Sequence, residues 1–272
     1  MIMDTYQTIK LDIGEGIATL TLNRPEKKNA LDLSIREEIG DAVAKLRSDD
    51  AVRALILAGA GGDFCAGGDI RSMASVELSA EAGRQRMRDM HAWLRDLMEL
   101  DRPVICAVDG AAYGAGFGLA LVADFIIATP RARFCASFAR MGLVADSGLF
   151  HTLPRMVGLQ RAKELLLSAR ELDAATAQDW GIVSEIVSAE TLSERARAIA
   201  GCFVNASGVA VALTKAALGR AFESDLGSML EVEASMQGIA FSTPYHRAAV
   251  RRFLDKQPLL FQWPAARPPK QT

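Results

Sequence analysis

The chain has 272 residues, half of them hydrophobic and 24% charged, which is enough apolar content to bury one large core or two modest ones. Its 31 basic and 33 acidic residues nearly cancel, to a formal net charge of -2, and lie scattered, so no nucleic-acid or other polyanion partner is expected. The cysteines Cys65, Cys106, Cys135 and Cys202 form no Cys-x-x-Cys pair and only three histidines accompany them, so reduced, mostly buried thiols are expected, with no metal and no separate cofactor.

Taken in chain order, the first residues lack the basic flank and apolar stretch of a secretory signal, so a cytoplasmic location is expected. Residues 6–22 read as a hairpin: Ile17, Thr19 and Thr21 alternate against Ala18, Leu20 and Leu22, and Gly14-Glu15-Gly16 makes the turn. From Ser34 a helix is signalled by the capping-box form Ser34-Ile35-Arg36-Glu37 and by the apolar face Ile35, Ile39, Val43 and Leu46. A strand over 52–58 leads into the glycine-rich loop Gly59 to Asp69, whose last aspartate is placed to cap a short helix.

A second helix is predicted over 80–100 from Met87, Met90, Leu94, Leu97 and Met98, and Asp101-Arg102-Pro103 ends it. A strand at 104–108, a second glycine-rich stretch at 110–118 and a strand at 124–128 follow, so strand, glycine loop and helix occur twice. The most apolar window, 110–123, is closed by Asp124 and falls short of the ~18 uncharged residues of a membrane span, so no membrane partner is expected. From Leu159 the pattern is helical, with one strand-like insertion at 181–187. The expected organisation is an α/β core over 1–200 and a helical region over 201–272, without a separating linker.

Gly114-Ala115-Gly116-Phe117-Gly118 lacks the spacing and the acidic partner of a dinucleotide fingerprint, and no Walker phosphate loop occurs. Two segments, 63–70 (Asp-Phe-Cys-Ala-Gly-Gly-Asp-Ile) and 109–116 (Asp-Gly-Ala-Ala-Tyr-Gly-Ala-Gly), resemble instead the two signatures of the crotonase superfamily. Asn23-Arg24-Pro25, Asn29-Ala30-Leu31, Ala123-Asp124, Gly142-Leu143 and the 177–183 segment follow in the family's order.

The resemblance implies an α/β spiral of ββα units with a helical C-terminal trimerisation region, an acyl-CoA thioester as substrate, and a homotrimer or dimer of trimers. It also implies that two backbone N–H groups hold the oxyanion of a thioester enolate, by position those of Ala66 and Ala115, because glycines and small residues let the backbone approach. Gly68, Asp69, Ile70, Tyr113 and Phe138 fall on the family's substrate-binding segments, Lys27 and Lys28 lie where the family grips the adenosine part of CoA, and Phe253 to Lys256 resembles its C-terminal CoA contact.

Hydratases of this family use two glutamates, and here their positions hold Gly118 and Phe138. Between Gly110 and Arg155 the carboxylates are Asp124, in a strand the family uses structurally, and Asp146. Asp146 stands where dienoyl-CoA isomerases and ring-epoxide phenylacetyl-CoA isomerases carry an aspartate, and a single carboxylate suits a one-base proton shuttle and hence double-bond isomerisation. Three alternatives stay open: Asp146 as cap of a helix beginning near Ser147, a hydratase that uses Ser137, Ser147 or His151, and a non-catalytic acyl-CoA-binding protein.

Overall fold

The computed structural model describes residues 6–74 and 77–265. It opens with the hairpin β1 (Ile9–Gly14) and β2 (Ile17–Leu22), closed so that Gly14 faces Ile17 across the turn. Then come α1 (Leu33–Ser48), β3 (Ala54–Gly59), α2 (Ile70–Ala74), α3 (Ala80–Met98), β4 (Val104–Val108), β5 (Ala111–Tyr113), α4 (Ala115–Ala120), β6 (Phe125–Ala128) and β7 (Arg133–Cys135). The rest is α5 (Leu149–Val157), α6 (Leu159–Ser168), β8 (Glu171–Asp173), α7 (Ala174–Asp179), β9 (Glu185–Ile186), α8 (Ala189–Val204), α9 (Gly208–Leu218), α10 (Leu226–Ser242) and α11 (Pro244–Leu254).

Two sheets result, one of six strands in the order β1-β2-β3-β4-β6-β9 and one of three in the order β5-β7-β8. Apart from the antiparallel β1–β2 edge, the larger sheet is parallel. Its central strands are apolar on both faces, as a sheet covered on both sides requires. Leu55 and Leu57 of β3, with Val104, Cys106 and Val108 of β4, face the core shared with α1 and α3. The alternate residues Ala54, Ile56, Ile105 and Ala107 face α8, whose Leu192, Ala196, Ile199 and Phe203 cover that side.

The N-cap of α1 lies two residues earlier than its sequence pattern suggests. Asp32 is the N-cap and accepts from Ile35 N at 3.2 Å, so the capping box expected at Ser34 and Glu37 does not form. Asp32 also pairs with Arg24 at 2.7 Å, a tertiary tie that fixes it in the cap position. The strands β5, β7 and β8, of three residues each, are too short for a period to register, and the 181–187 signal contracts to β9.

α9, α10 and α11 bury no side chain, and Phe222, Leu226, Phe253 and Leu254 are each more than 70% exposed. Among the described residues no single helix is long and apolar enough to cross a membrane.

Candidate active site

The segment after β2 holds the first glycine loop in shape. Asn29, fully buried, donates to the carbonyls of Ala60 (2.9 Å) and Asp63 (2.7 Å), and its Oδ1 accepts from Arg24 N (2.9 Å). Buried Arg24 pairs with Asp69 at 3.2 Å, and Asp69 also accepts from the N–H groups of Arg71 (3.1 Å) and Ser72 (3.2 Å) at the start of α2. Burial alone would raise the Asp69 carboxyl, but the Ser72 amide and the cations Arg24 and Lys27 hold it below the usual carboxylate range. Asp69 is therefore the helix cap expected, with its carboxylate committed to structure.

A short ladder joins this segment to the loop: Ala66 N–H donates to Lys28 O (2.9 Å), Leu31 N–H to Gly67 O (2.7 Å) and Asp69 N–H to Leu31 O (3.1 Å). Because a carbonyl and the next N–H of a trans peptide point opposite ways, turning Gly67 O toward Leu31 turns Gly68 N–H away from the ladder. That N–H has no backbone acceptor among the described residues. The expected donor Ala66 is thus corrected to Gly68: the Ala66 N–H is bonded to Lys28, and the Gly68 amide is open.

The second glycine loop lies against the first. Cys65 N–H donates to Ala111 O (2.8 Å) and Tyr113 N–H to Cys65 O (2.9 Å). Gly67, at φ +94°, is required by this approach, since a Cβ there would stand 2.7 Å from Tyr113 O and 3.5 Å from Ala115 N. Gly114 O accepts from the N–H groups of Phe117 (3.0 Å) and Gly118 (3.2 Å), so the Ala115 N–H at the start of α4 points out of the helix and has no backbone acceptor among the described residues.

Both positions that would carry hydratase glutamates are filled. A Cβ at Gly118 would stand 2.4 Å from Ser147 Cβ and 2.7 Å from Ser147 O, which leaves no room for a longer side chain while the 146–148 segment sits there. Phe138 is buried, and its ring edge lies 3.9 Å from where a Gly114 Cβ would be.

Asp146 adjoins the same place. Its Oδ1 accepts from Ser147 Oγ at 2.8 Å, and Ser147 Oγ lies 3.9 Å from Met90 Sδ on α3. Ser147 is buried at φ +52°, a left-handed conformation that a non-glycine side chain disfavours and that the surrounding packing must hold. The N-cap of α5 is Gly148 and receives no side-chain bond; Asp146 reaches this helix only through its carbonyl, which accepts from Leu149 N at 3.1 Å. The side-chain capping role left open for Asp146 is therefore not the one it has. Burial pushes the Asp146 carboxyl above its ordinary value, against the Ser147 hydroxyl bond and the positive charges of Arg36 and His91.

Arg36 of α1 enters the site unannounced by the sequence reading. It is 4% exposed, and Nη2 lies 3.8 Å from where a Gly68 Cβ would be. Burial, and then the like charge of Arg86 on α3, hold it below the ordinary arginine value, with Asp146 acting in the opposite sense. One sequence signal was available: a cation in the first turn of a helix opposes the macrodipole, where acidic residues are favoured. Cys65, also fully buried nearby, has its thiol pushed up to about 12 by burial, which excludes it as a nucleophile near neutral pH.

The remaining expected residues are more dispersed. Lys27 and Lys28 are exposed, with Nζ atoms 3.6 Å from Asp69 and Asp63. Ile70 opens α2 and is half exposed. Tyr113 turns its hydroxyl to Glu171, and burial followed by that carboxylate pushes it up to about 12. Phe253 lies in α11 and Lys256 just after it, and α11 packs on α10. Asp124 accepts from Val104 N (2.7 Å) and Lys215 Nζ (2.6 Å), a structural role. A separate groove of about 660 Å³, lined by Phe125, Phe203, Val211, Leu218 and Phe261 among others, shares no residue with the glycine loops or Asp146.

With this geometry in place, the likenesses to known proteins agree with one another. Residues 12–264 match the enoyl-CoA hydratase/isomerase family model. The chain is 35% identical over 247 residues to the 1,2-epoxyphenylacetyl-CoA isomerase of Escherichia coli K12, covering 90% of this chain and 94% of that one. It is also 35% identical over 253 residues to the crotonyl-CoA hydratase of Syntrophomonas wolfei, covering 93% and 96%. The crystal structure of an enoyl-CoA hydratase/isomerase from Cupriavidus metallidurans CH34 superposes with a TM-score of 0.93 at 40% identity, over 97% of this chain and all of that one. Fold, paired glycine loops and sequence match over nearly the whole length carry one conclusion: the chain belongs to the enoyl-CoA hydratase/isomerase family, with its crotonase fold.

Proposed function

We propose that the protein isomerises the double bond of an enoyl-CoA thioester, with Asp146 as the single base and the N–H groups of Gly68 and Ala115 as the oxyanion donors. The observation that carries this reading is the occupancy of the site. Ser147 fills the space over Gly118, Phe138 fills the second glutamate position, and the buried carboxylate beside them is Asp146. In the proposed step the Asp146 carboxylate takes a proton from the carbon next to the thioester carbonyl, or from Cγ. The electron pair moves to the thioester oxygen, the two amides hold the resulting enolate, and protonated Asp146 returns the proton at the other carbon. A carboxyl raised by burial is the stronger base and is closer in pKa to that task.

Hydration is the second reading, because a crotonyl-CoA hydratase is as similar to this chain as the epoxyphenylacetyl-CoA isomerase is. It requires both an activated water and an acid, and among the described residues Asp146 is the carboxylate beside the two filled glutamate positions. The two readings separate when the protein is incubated in deuterated water with 3-enoyl-CoA thioesters, the ring epoxide of phenylacetyl-CoA and crotonyl-CoA. Isomerised product and slow hydration are expected; rapid hydration of crotonyl-CoA without isomerisation would overturn the proposal, and binding without proton exchange would leave an acyl-CoA-binding protein.

For the CoA moiety, Lys27 and Lys28 are proposed at the adenosine end, with Phe253 and Lys256 reaching the CoA of a neighbouring subunit. What supports this is the apolar, unburied surface of α9 and α10, since a helix apolar on most sides requires cover, together with the exposed Phe253 and Leu254 of α11. A trimer or a pair of trimers is expected by light scattering, and a monodisperse single chain at working concentration would overturn the assembly.

A further inference from the structure

Arg36 is nine-tenths buried and more, yet its Nε, Nη1 and Nη2 all lack a hydrogen-bond partner among the described residues. An arginine cannot escape by deprotonation, so a guanidinium stripped of water with nothing in return is a large uncompensated cost to the unliganded fold. α3 brings a second cation to it: Nη2 of Arg86 is also buried and unpartnered. The carboxylate acting on Arg36 is Asp146, which bonds Ser147 and forms no ion pair with Arg36 among the described residues. Asp32, at the start of the same helix, is paired with Arg24. The Arg36 guanidinium, with the like charge of Arg86 acting on it, is thus left for an anionic ligand to match.

The place of this charge narrows the ligand. Arg36 Nη2 lies 3.8 Å from where a Gly68 Cβ would stand, beside the open amide of the first glycine loop. A thioester held by that amide would bring the atoms a few bonds along its acyl chain within reach of the guanidinium. A plain alkyl chain would leave the fork unpartnered and a cationic group would be repelled, whereas a carboxylate accepts two parallel N–H bonds from it.

We infer that Arg36, with Arg86 beside it, is a receptor for a carboxylate at the far end of the acyl group, so that the substrate is a short dicarboxylic acid carried on CoA as its mono-thioester. The inference rests on the acyl-CoA reading above but not on the isomerase step. It is tested by titrating the intact protein calorimetrically with glutaryl-CoA and pentanoyl-CoA, saturated thioesters of equal chain length that cannot isomerise.

The wild type is expected to bind glutaryl-CoA at least tenfold tighter. Arg36→Met should bring the ratio of the two affinities to one or below, and Arg36→Lys, which keeps the charge and loses the planar fork, should give an intermediate ratio. Removing an unpaired buried charge should also raise the melting temperature of the unliganded Arg36→Met variant, an effect that a structural ion pair would reverse. Equal affinity of the wild type for both thioesters, or a ratio unchanged in Arg36→Met, overturns the receptor alone. Binding of neither thioester overturns it together with the acyl-CoA reading.

Discussion

Asp146→Asn is expected to lower turnover by roughly 10²–10⁴-fold while the protein stays folded, because the amide keeps the size and the Ser147 contact but cannot accept a proton. Stability should move the other way. The carboxyl has an ordinary value of 3.8 when unfolded and a raised one when folded, so the native state binds its proton more tightly. That linkage favours folding below 3.8 and is lost as pH rises through the folded value, above which the carboxylate is ionised and desolvated. Asn carries no such penalty, so the variant should melt no lower than the wild type at pH 7, with any advantage disappearing in acid. The acid limb of kcat/KM in the wild type should likewise lie above 3.8. Undiminished isomerase activity in Asp146→Asn would remove Asp146 from the mechanism, and a lower melting temperature at pH 7 would show that its charge is stabilising instead.

Ala115→Pro is expected to cost ~10²–10³-fold in kcat, the range seen when one oxyanion donor is removed. The substitution replaces the amide hydrogen with the ring Cδ and so removes the donor. Position 115 is the first residue of α4, where proline is tolerated because its missing donor is one the helix does not use. The preceding residue, at φ 52° and ψ -122°, is the mirror image of polyproline II, a conformation that Gly114 can hold before a proline. Affinity for saturated acyl-CoA should fall far less than kcat, since the donor acts most strongly on the charge that develops in the transition state. Loss of kcat and of ground-state binding by the same factor would mean that Ala115 N–H only anchors the substrate, and an unchanged kcat would place the oxyanion elsewhere.

Much of this site is legible along the chain. The strands β3 and β4, the helices α1 and α3 and both glycine loops follow from apolar period and turn residues, and the resemblance of the two loop segments to the crotonase signatures points to the family. Asp146 is what the resemblance implies, since it stands where isomerase branches of the family carry an aspartate and Gly118 and Phe138 stand where the hydratase glutamates would be. The Ser34 capping box fails because the choice between two nearby caps is made by Arg24, outside the helix, through its pairing with Asp32. Likewise β5, β7 and β8 owe their existence to neighbours and not to any local pattern.

What the sequence determined by itself, then, is the set of parts: two loops whose glycines permit close backbone approach, one surviving carboxylate, and the alternation that buries β3 and β4 on both faces. What only the tertiary structure decided is orientation and solvation. Ala66 and Gly68 both carry an N–H, and the ladder from Lys28 to Leu31 settles which of them is open by fixing the direction of the peptide planes. Arg36 reads as one more helix cation until α3 and the first loop close over it, and only then are its nitrogens buried without a hydrogen-bond partner among the described residues. Peptide direction and desolvation are set by contacts between segments far apart in the chain, which no local period can encode.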